Sequence, residues 1–344
     1  MKGFNLSMSK LNEKDIIKLF SSTLQINKRI RNENDDIVVL PFEDIISNFA
    51  YCGSAAMVLK SDMLVESTDV PPCMRPWQIA RKSVVACISD MSVKGIEPPY
   101  LCLISIGIPR RYSKHHIIDL IRGFKIASKE FGIRIVGGDT NKSNELVINC
   151  NVASIFTGDK LVPTRSGAKP GDFVISSGVF GYSSSGLKIL LNKARAKGQF
   201  RRTAIRSVLR PEPQLMFGTH MSKFFSSSID SSDGLAASLY ELARQSKVNL
   251  IIDCVPSAKG VQQFARDNGL AVIDLVFYGG EEYEIIATIS KVNLEMARRL
   301  AEKLKLKLYV IGRVEKGDGK VAVLSRRGTR LRVREGGYIH KFGS

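Results

Sequence analysis

No uninterrupted apolar run in this chain approaches the ~20 residues needed to cross a bilayer. The opening stretch MKGFNLSMSKLNEKDIIKLF also lacks the continuous apolar core of a secretory signal. Membrane insertion and secretion are therefore not expected, and a cytoplasmic protein is. Cysteine is sparse: six residues, at 52, 73, 87, 102, 150 and 254, with no C-x-x-C pair. Most lie inside apolar runs, which predicts small buried hydrophobes in a reducing compartment. The four histidines, at 115, 116, 220 and 340, show no H-E-x-x-H spacing, so a zinc site has little support. Only 28 Gly and 12 Pro among 344 residues exclude a collagen-like or mucin-like chain. The common phosphate-binding loops are missing as well. There is no G-x-x-x-x-G-K-[ST], no G-x-G-x-x-G heading a strand–helix unit, and no protein-kinase signature set.

Negative charge is scarce too. Lys and Arg outnumber Asp and Glu by 51 to 33, a net +18. From Lys291 to Ser344 there are 15 basic and 5 acidic residues, so more than half the excess lies in the last sixth of the chain. A basic surface suits nucleic acid, or it suits solvent and small anionic substrates. No nucleic-acid motif accompanies the charge, and the basic residues of 325–334 alternate with Leu331 and Val333 as on the outer face of a strand. Small anions are the expected partners, and nucleic acid is not.

What is present reads as a mixed α/β chain. With 44% hydrophobic residues it has enough apolar content for two ordinary cores. An amphipathic helix is predicted over 11–24. Strands are predicted at Ile37 to Leu40 and Met57 to Leu59. A helix is predicted from Pro76 at N1 to about Lys94, with Ile79, Val84, Cys87, Ile88 and Met91 as its apolar face. After a strand over 101–108, Ser113 is a candidate N-cap for a helix ending at Gly132, with His115 and His116 facing solvent. Strands follow at 133–136 and 146–156. The turn-rich segment 164–172 opens a second half, again of interleaved strands and helices, including helices near 184–197, 235–242, 258–268 and 293–304. The expected divisions are an N-terminal extension over 1–30, a first α/β domain over 31–160 and a second over 161–344.

In a chain short of carboxylates, Asp recurs where strands meet loops or helices begin: Asp35, Asp36, Asp62, Asp90, Asp139, Asp230 and Asp233. Several adjoin Gly, Ser or Thr. Each alone fits a cap or an Asx-turn. As a set they also fit Mg²⁺, which takes hard oxygen ligands and shares them with substrate phosphates.

The ordered motifs carry a resemblance. Asn34-Asp35-Asp36-Ile37-Val38-Val39, Ser61-Asp62-Met63-Leu64-Val65-Glu66, Ile88-Ser89-Asp90-Met91, Gly137-Gly138-Asp139-Thr140, Arg165-Ser166-Gly167-Ala168-Lys169-Pro170-Gly171-Asp172, Asp230-Ser231-Ser232-Asp233-Gly234-Leu235 and Gly279-Gly280-Glu281-Glu282-Tyr283-Glu284 occur in that order. Together they resemble the thiamine-monophosphate kinases, within the aminoimidazole-ribotide-synthetase-like ATP-binding superfamily, from about residue 30 to the C-terminus. Relatives that make selenophosphate or mature hydrogenase carry cysteines near one terminus. Here the first fifty residues and the last ninety have none.

The resemblance implies a two-domain fold whose N-terminal strands pair with a second subunit in a homodimer sheet or barrel. It implies ATP- and Mg²⁺-dependent phosphorylation of thiamine monophosphate to thiamine diphosphate. It assigns several Mg²⁺ ions to Asp35 or Asp36, Ser61, Asp62, Asp90, Asp139, Asp230 and Asp233. ATP contacts fall to Gly138, Asp139, Arg165 and Ser232, and substrate contacts to Asp69, Glu281 and Tyr338. No general base is implied, since the second pKa of a phosphate monoester is about 6 and the attacking oxygen is already an anion. The chain departs from the family pattern at Asn34 in place of Gly, at Lys60-Ser61-Asp62 in place of Thr-Thr-Asp, at Glu282 in place of Asp, and by an insertion over 42–56. Two alternatives stay open: a related ATP-using enzyme acting on another small anion, and a non-catalytic polyanion-binding paralogue.

Overall fold

The computed structural model describes residues 38–41, 55–157, 162–325 and 327–338. The predicted helix over 11–24, the extension over 1–30 and the carboxylates Asp35 and Asp36 lie outside the described residues, as does most of the insertion.

The first half runs β1 (Val38–Pro41), β2 (Ala55–Val65), α1 (Glu66–Asp69), α2 (Pro76–Val93), β3 (Tyr100–Pro109), α3 (Lys114–Phe131), β4 (Ile133–Ser143) and β5 (Val147–Thr157). Its strands form one five-stranded sheet in the order β1-β2-β5-β3-β4, antiparallel except where β3 and β4 run parallel. The period-two alternation of each strand gives the sheet two unlike faces. Val58, Leu64, Ile148, Cys150, Val152, Tyr100, Cys102 and Ile104 are buried on one face. Leu59, Met63, Leu101, Leu103, Val136 and Ile155 are exposed on the other.

The second half runs β6 (Phe173–Ser176), α4 (Tyr182–Asn192), α5 (Gly198–Leu209), α6 (Leu215–Met221), β7 (Phe225–Asp230), α7 (Leu235–Ser246), β8 (Val248–Ile252), α8 (Val261–Asp267), α9 (Val272–Phe277), β9 (Ile285–Ile289), α10 (Lys291–Leu304), β10 (Tyr309–Lys316), β11 (Val321–Leu324) and β12 (Arg330–Arg332). Its seven-stranded sheet has the order β12-β11-β8-β10-β6-β9-β7, with only β8 and β11 parallel. All five residues of β9 are buried. One apolar cluster, with Leu239, Leu250, Phe277 and Ile286, lies on one side of this sheet. A second, with Ile285, Ala287, Leu294 and Ala297, lies on the other. The expected mixed α/β class is what the chain adopts.

The helix α2 joins the two halves. Pro76 sits at N1 as predicted, and the Arg75 N–H donates to Gln78 Oε1 at 2.9 Å. Its predicted apolar residues Ile79, Val84, Cys87, Ile88 and Met91 are buried in the first core. Its other side is buried as well, so Arg81, Lys82, Ser89 and Asp90 are all enclosed. A helix buried on every side must partner its polar residues. Arg81 does so within its own half, where Nε meets Glu130 Oε2 on α3 at 2.7 Å, and across to the second, where Nη1 donates to Pro211 O at 2.5 Å and Nη2 meets Glu212 Oε2 at 2.7 Å.

Four local expectations are adjusted. The predicted helix over 184–197 stops at Asn192, where Lys193 takes a left-handed φ of 56°, and α5 starts afresh at Gly198. The strand predicted over 133–136 continues to Ser143, because β4 shifts register against β3 at Cys102 and Leu103 and pairs on. Helices α6 and α9 have no counterpart in the sequence reading; at seven and six residues they are too short to show a helical period. Cys87, Cys102 and Cys150 are buried as expected, whereas Cys73 and Cys254 are exposed, Cys73 in the turn before α2 and Cys254 just past β8.

Candidate active site

The carboxylates on β2, α2 and β7 are linked in the seam between the halves through Lys60 and Ser89. Asp90 is carried into it by α2 and Asp230 by the end of β7; they are 6% and 5% exposed. Ser89, beside Asp90, donates from Oγ to Asp230 Oδ2 at 2.6 Å, although 141 residues separate the two. Asp62 lies on the inward face of β2. Between Asp62 and Asp90 sits Lys60, whose Nζ is 3.5 Å from Asp62 Oδ2 and in closer contact with Asp90 Oδ2. Burial alone would lower the Lys60 pKa. Attraction to Asp90 and Asp62 outweighs it and holds the ammonium well above its ordinary value.

A second cluster joins the proposed substrate residues. Lys82, on α2, donates from Nζ to the Asp69 backbone carbonyl at 2.6 Å and also pairs with Glu281. The Asp69 carboxylate folds back on its own turn, accepting from Val65 N at 2.7 Å and Thr68 Oγ1 at 3.1 Å. Glu281 is held by an unusual backbone. Glu281 and Tyr283 take φ values of 62° and 53°, left-handed conformations that cost non-glycine residues of order 1 kcal/mol each. The segment is tied to the loop after β7 by Glu281 N donating to Ser232 O at 2.6 Å and Tyr283 N donating to Ser231 O at 3.0 Å. A Cβ at Gly280 would stand 2.7 Å from Ser232 O, so only glycine admits this approach. Tyr283 is buried in the core of the first half. Tyr338 reaches the same loop from the far end of the chain, its N–H donating to Asp233 O at 3.1 Å while its side chain is 48% exposed.

Glu282 and Glu284 turn the other way, onto a cleft of about 780 Å³ that Arg202, Arg206, Arg210, Lys305 and Lys307 also line. Glu282 Oε1 accepts from Gly181 N at 2.7 Å and Ser183 N at 3.0 Å, at the start of α4. Burial pushes its pKa up to about 8, against the pull of those donors. Burial likewise raises Glu284 to about 7, although the Ser177 hydroxyl donates to it.

Other predicted residues are not drawn into the seam. Ser61 is exposed on the opposite face of the sheet from Asp62, donating to Asn149 Oδ1 at 3.1 Å. Adjacent strand residues point to opposite faces, so a side chain at 61 cannot follow one at 62. Asp139 is exposed on β4, the sheet's edge, opposite Ser105. Gly138 precedes it where a Cβ would fall 1.8 Å from Ile104 O, so the chain passes there only as glycine. Arg165 stands with Nη1 3.8 Å from Glu241 Oε1, and Ser232 and Asp233 form the loop after β7. The sequence reading gave no role to Lys82 or Ser89 and took Lys60 only as a departure. Lys60 and Ser89 carried a signal, each a polar residue beside an apolar run, whereas Lys82 stands in the polar run Arg81-Lys82-Ser83 and carried none.

Among the described residues, no three of His, Cys, Asp or Glu stand close enough to enclose a metal ion. The donor chemistry of Asp62, Asp90 and Asp230 fits a hard divalent cation, which completes its shell with phosphate oxygens. Lys60 stands at one of these carboxylate pairs, Asp62 and Asp90.

The model for the N-terminal domain of AIR synthase related proteins matches residues 35–158. A thiamine-monophosphate kinase of Nitrosopumilus maritimus (strain SCM1) is 38% identical over 334 residues, covering 97% of this chain and 99% of that one. This chain belongs to the thiamine-monophosphate kinase family. A second member, from Pyrococcus horikoshii, is 31% identical and covers 91% of each chain. A solved structure described as AaThiL complexed with AMPPCP and TMP is 27% identical, covers 98% of this chain and 100% of that one, and superposes with a TM-score of 0.81. Family membership thus spans both halves, the seam between them and the segments that supply the candidate site.

Proposed function

We propose that this chain transfers the γ-phosphoryl group of ATP to the phosphate of thiamine monophosphate, giving thiamine diphosphate and ADP. A phosphate oxygen of the acceptor forms the new P–O bond as the bond between the β,γ-bridging oxygen and the γ-phosphorus breaks, leaving the electron pair on ADP. The observation that carries the reading is the end-to-end match to a family of this activity, 38% identical over 97% of the chain. The seam supports it, because Ser89 and Asp230, from separate halves, are in hydrogen-bond contact there.

The acceptor oxygen is already ionised near neutral pH, so no side chain need remove a proton. The obstacle is the mutual repulsion of two polyanions, and catalysis is mostly positioning and charge neutralisation. Mg²⁺ is the proposed cofactor; bound, it would supply that neutralisation and orient the phosphate oxygens. Asp62, Asp90, Asp139, Asp230 and Asp233 are its proposed carboxylate ligands, with Asp35 or Asp36; Ser61, on the opposite face of the first sheet from Asp62, would serve a different ion from the one at Asp62. Gly138, Asp139, Arg165 and Ser232 are the proposed ATP contacts, the Arg165 guanidinium offering a fork for phosphate oxygens. Glu281 and Asp69 suit the cationic thiazolium and the aminopyrimidine, and Tyr338 offers an aromatic face to a cationic ring.

The two sheets are taken as the cores of two domains, divided near residue 160. A homodimer is part of the proposal. Leu59, Met63, Leu101, Leu103, Val136 and Ile155 form an exposed apolar face on the first sheet, and a second copy of the same face would cover it. Among the described residues no helix is long and apolar enough to cross a membrane, and a cytoplasmic enzyme is proposed. The test is a coupled assay for thiamine diphosphate with ATP, Mg²⁺ and thiamine monophosphate. ATP turnover only with another small anionic acceptor would overturn the substrate.

A further inference from the structure

Lys60 introduces a fixed positive charge where the family resemblance places metal ions. Its Nζ lies 3.5 Å from Asp62 Oδ2 and in closer contact with Asp90 Oδ2, with the three side chains 18%, 34% and 8% exposed. An ammonium and a divalent ion want the same carboxylate oxygens, and each repels the other at such range. Mg²⁺ must approach those oxygens to ~2.1 Å and requires a near-octahedral shell, whereas an ammonium tolerates longer contacts and any direction. Once Lys60 occupies the pair, a divalent ion bound to both carboxylates would stand against its charge.

We infer that the Lys60 ammonium is a built-in cation that takes the place of a divalent ion bridging Asp62 and Asp90. The inference rests on the kinase reading above for the presence of ATP-linked metal, and it concerns how many ions this chain needs. Lys60 would then neutralise the pair permanently, in the free enzyme as well as with nucleotide bound, and would present its remaining N–H donors toward the seam. A neutral hydroxyl at position 60 would leave the two carboxylates to recruit an ion from solution.

The experiment counts bound Mn²⁺ by paramagnetic resonance on the full chain with AMPPCP, in the unmodified protein and in Lys60→Thr. Lys60→Thr is expected to retain about one more Mn²⁺ per chain. Its melting temperature, measured without nucleotide, should rise on adding Mg²⁺ while that of the unmodified protein stays put. Should Lys60→Thr give no folded protein, Lys60→Gln, which keeps the stem and a donor, is read the same way. Equal Mn²⁺ counts, with equal destabilisation of the variant at every Mg²⁺ concentration, would show Lys60 to be a structural ion pair only and overturn the inference. If neither protein retains Mn²⁺ with AMPPCP, the kinase reading falls as well. Equal, non-zero counts overturn only the role of Lys60.

Discussion

Glu282 and Glu284 make the stability of this protein depend on pH in a direction opposite to that of most carboxylates. Burial raises Glu282 to about 8 and Glu284 to about 7, so the folded chain holds protons that the unfolded chain has released above about pH 4.5. A raised folded-state pKa gives stability that is complete below the unfolded value and is lost as pH rises through the folded one. For a single carboxyl moving from about 4.5 to about 8, linkage gives a loss of about 2.5 kcal/mol between about pH 6 and about pH 8.5. The cleft is open to solvent, so ~1–2.5 kcal/mol is the expected range. Glu282→Gln isolates this effect. The amide oxygen can still accept from the Gly181 and Ser183 N–H groups, while the ionisation is gone. Urea unfolding of both proteins at the two pH values is the assay. The stability of the variant relative to the parent should rise by that range between about pH 6 and about pH 8.5. Parallel pH dependences in the two proteins would refute the reasoning and mean that Glu282 ionises in the cleft without penalty.

Asp62→Asn and Asp139→Asn should each abolish thiamine diphosphate formation while leaving the circular dichroism spectrum unchanged, because the amide keeps size but not charge; near-parent turnover with unaltered Mg²⁺ dependence would remove either residue from the metal site. Tyr338→Ala should raise the KM for thiamine monophosphate about tenfold and leave that for ATP almost unmoved, since stacking on a cationic ring is worth ~0.5–2 kcal/mol. Its backbone bond to Asp233 survives the change, so a lower melting temperature with both KM values constant would mark it as a packing residue. Ser89→Ala removes a buried hydrogen bond to a carboxylate and should cost about 1.5–3 kcal/mol, read by denaturant unfolding. Leu103→Glu places charge on the exposed apolar face and should shift sedimentation toward the monomer; an unchanged oligomer would mean another surface holds it.

Local chemistry made much of this molecule legible before any fold was in view. Pro76 announced α2, Ser113 and Gly132 bounded α3, and alternation marked the strands, because these signals act within a few residues of backbone. The recurrence of Asp at strand ends likewise pointed to the segments from which the candidate site is proposed. Tertiary structure alone decided which of those carboxylates meet. Ser61 and Asp62 are neighbours in the chain and lie on opposite faces of the sheet, whereas Ser89 and Asp230 touch across 141 residues. The same holds for Lys82, which only the docking of α2 against the second half brings to Glu281, and for Lys60, whose partner Asp90 arrives on a different element. Sequence patterns report what a residue prefers next to its neighbours. A buried charge is settled by whichever opposite charge the packed layers place within reach, and that depends on the whole topology.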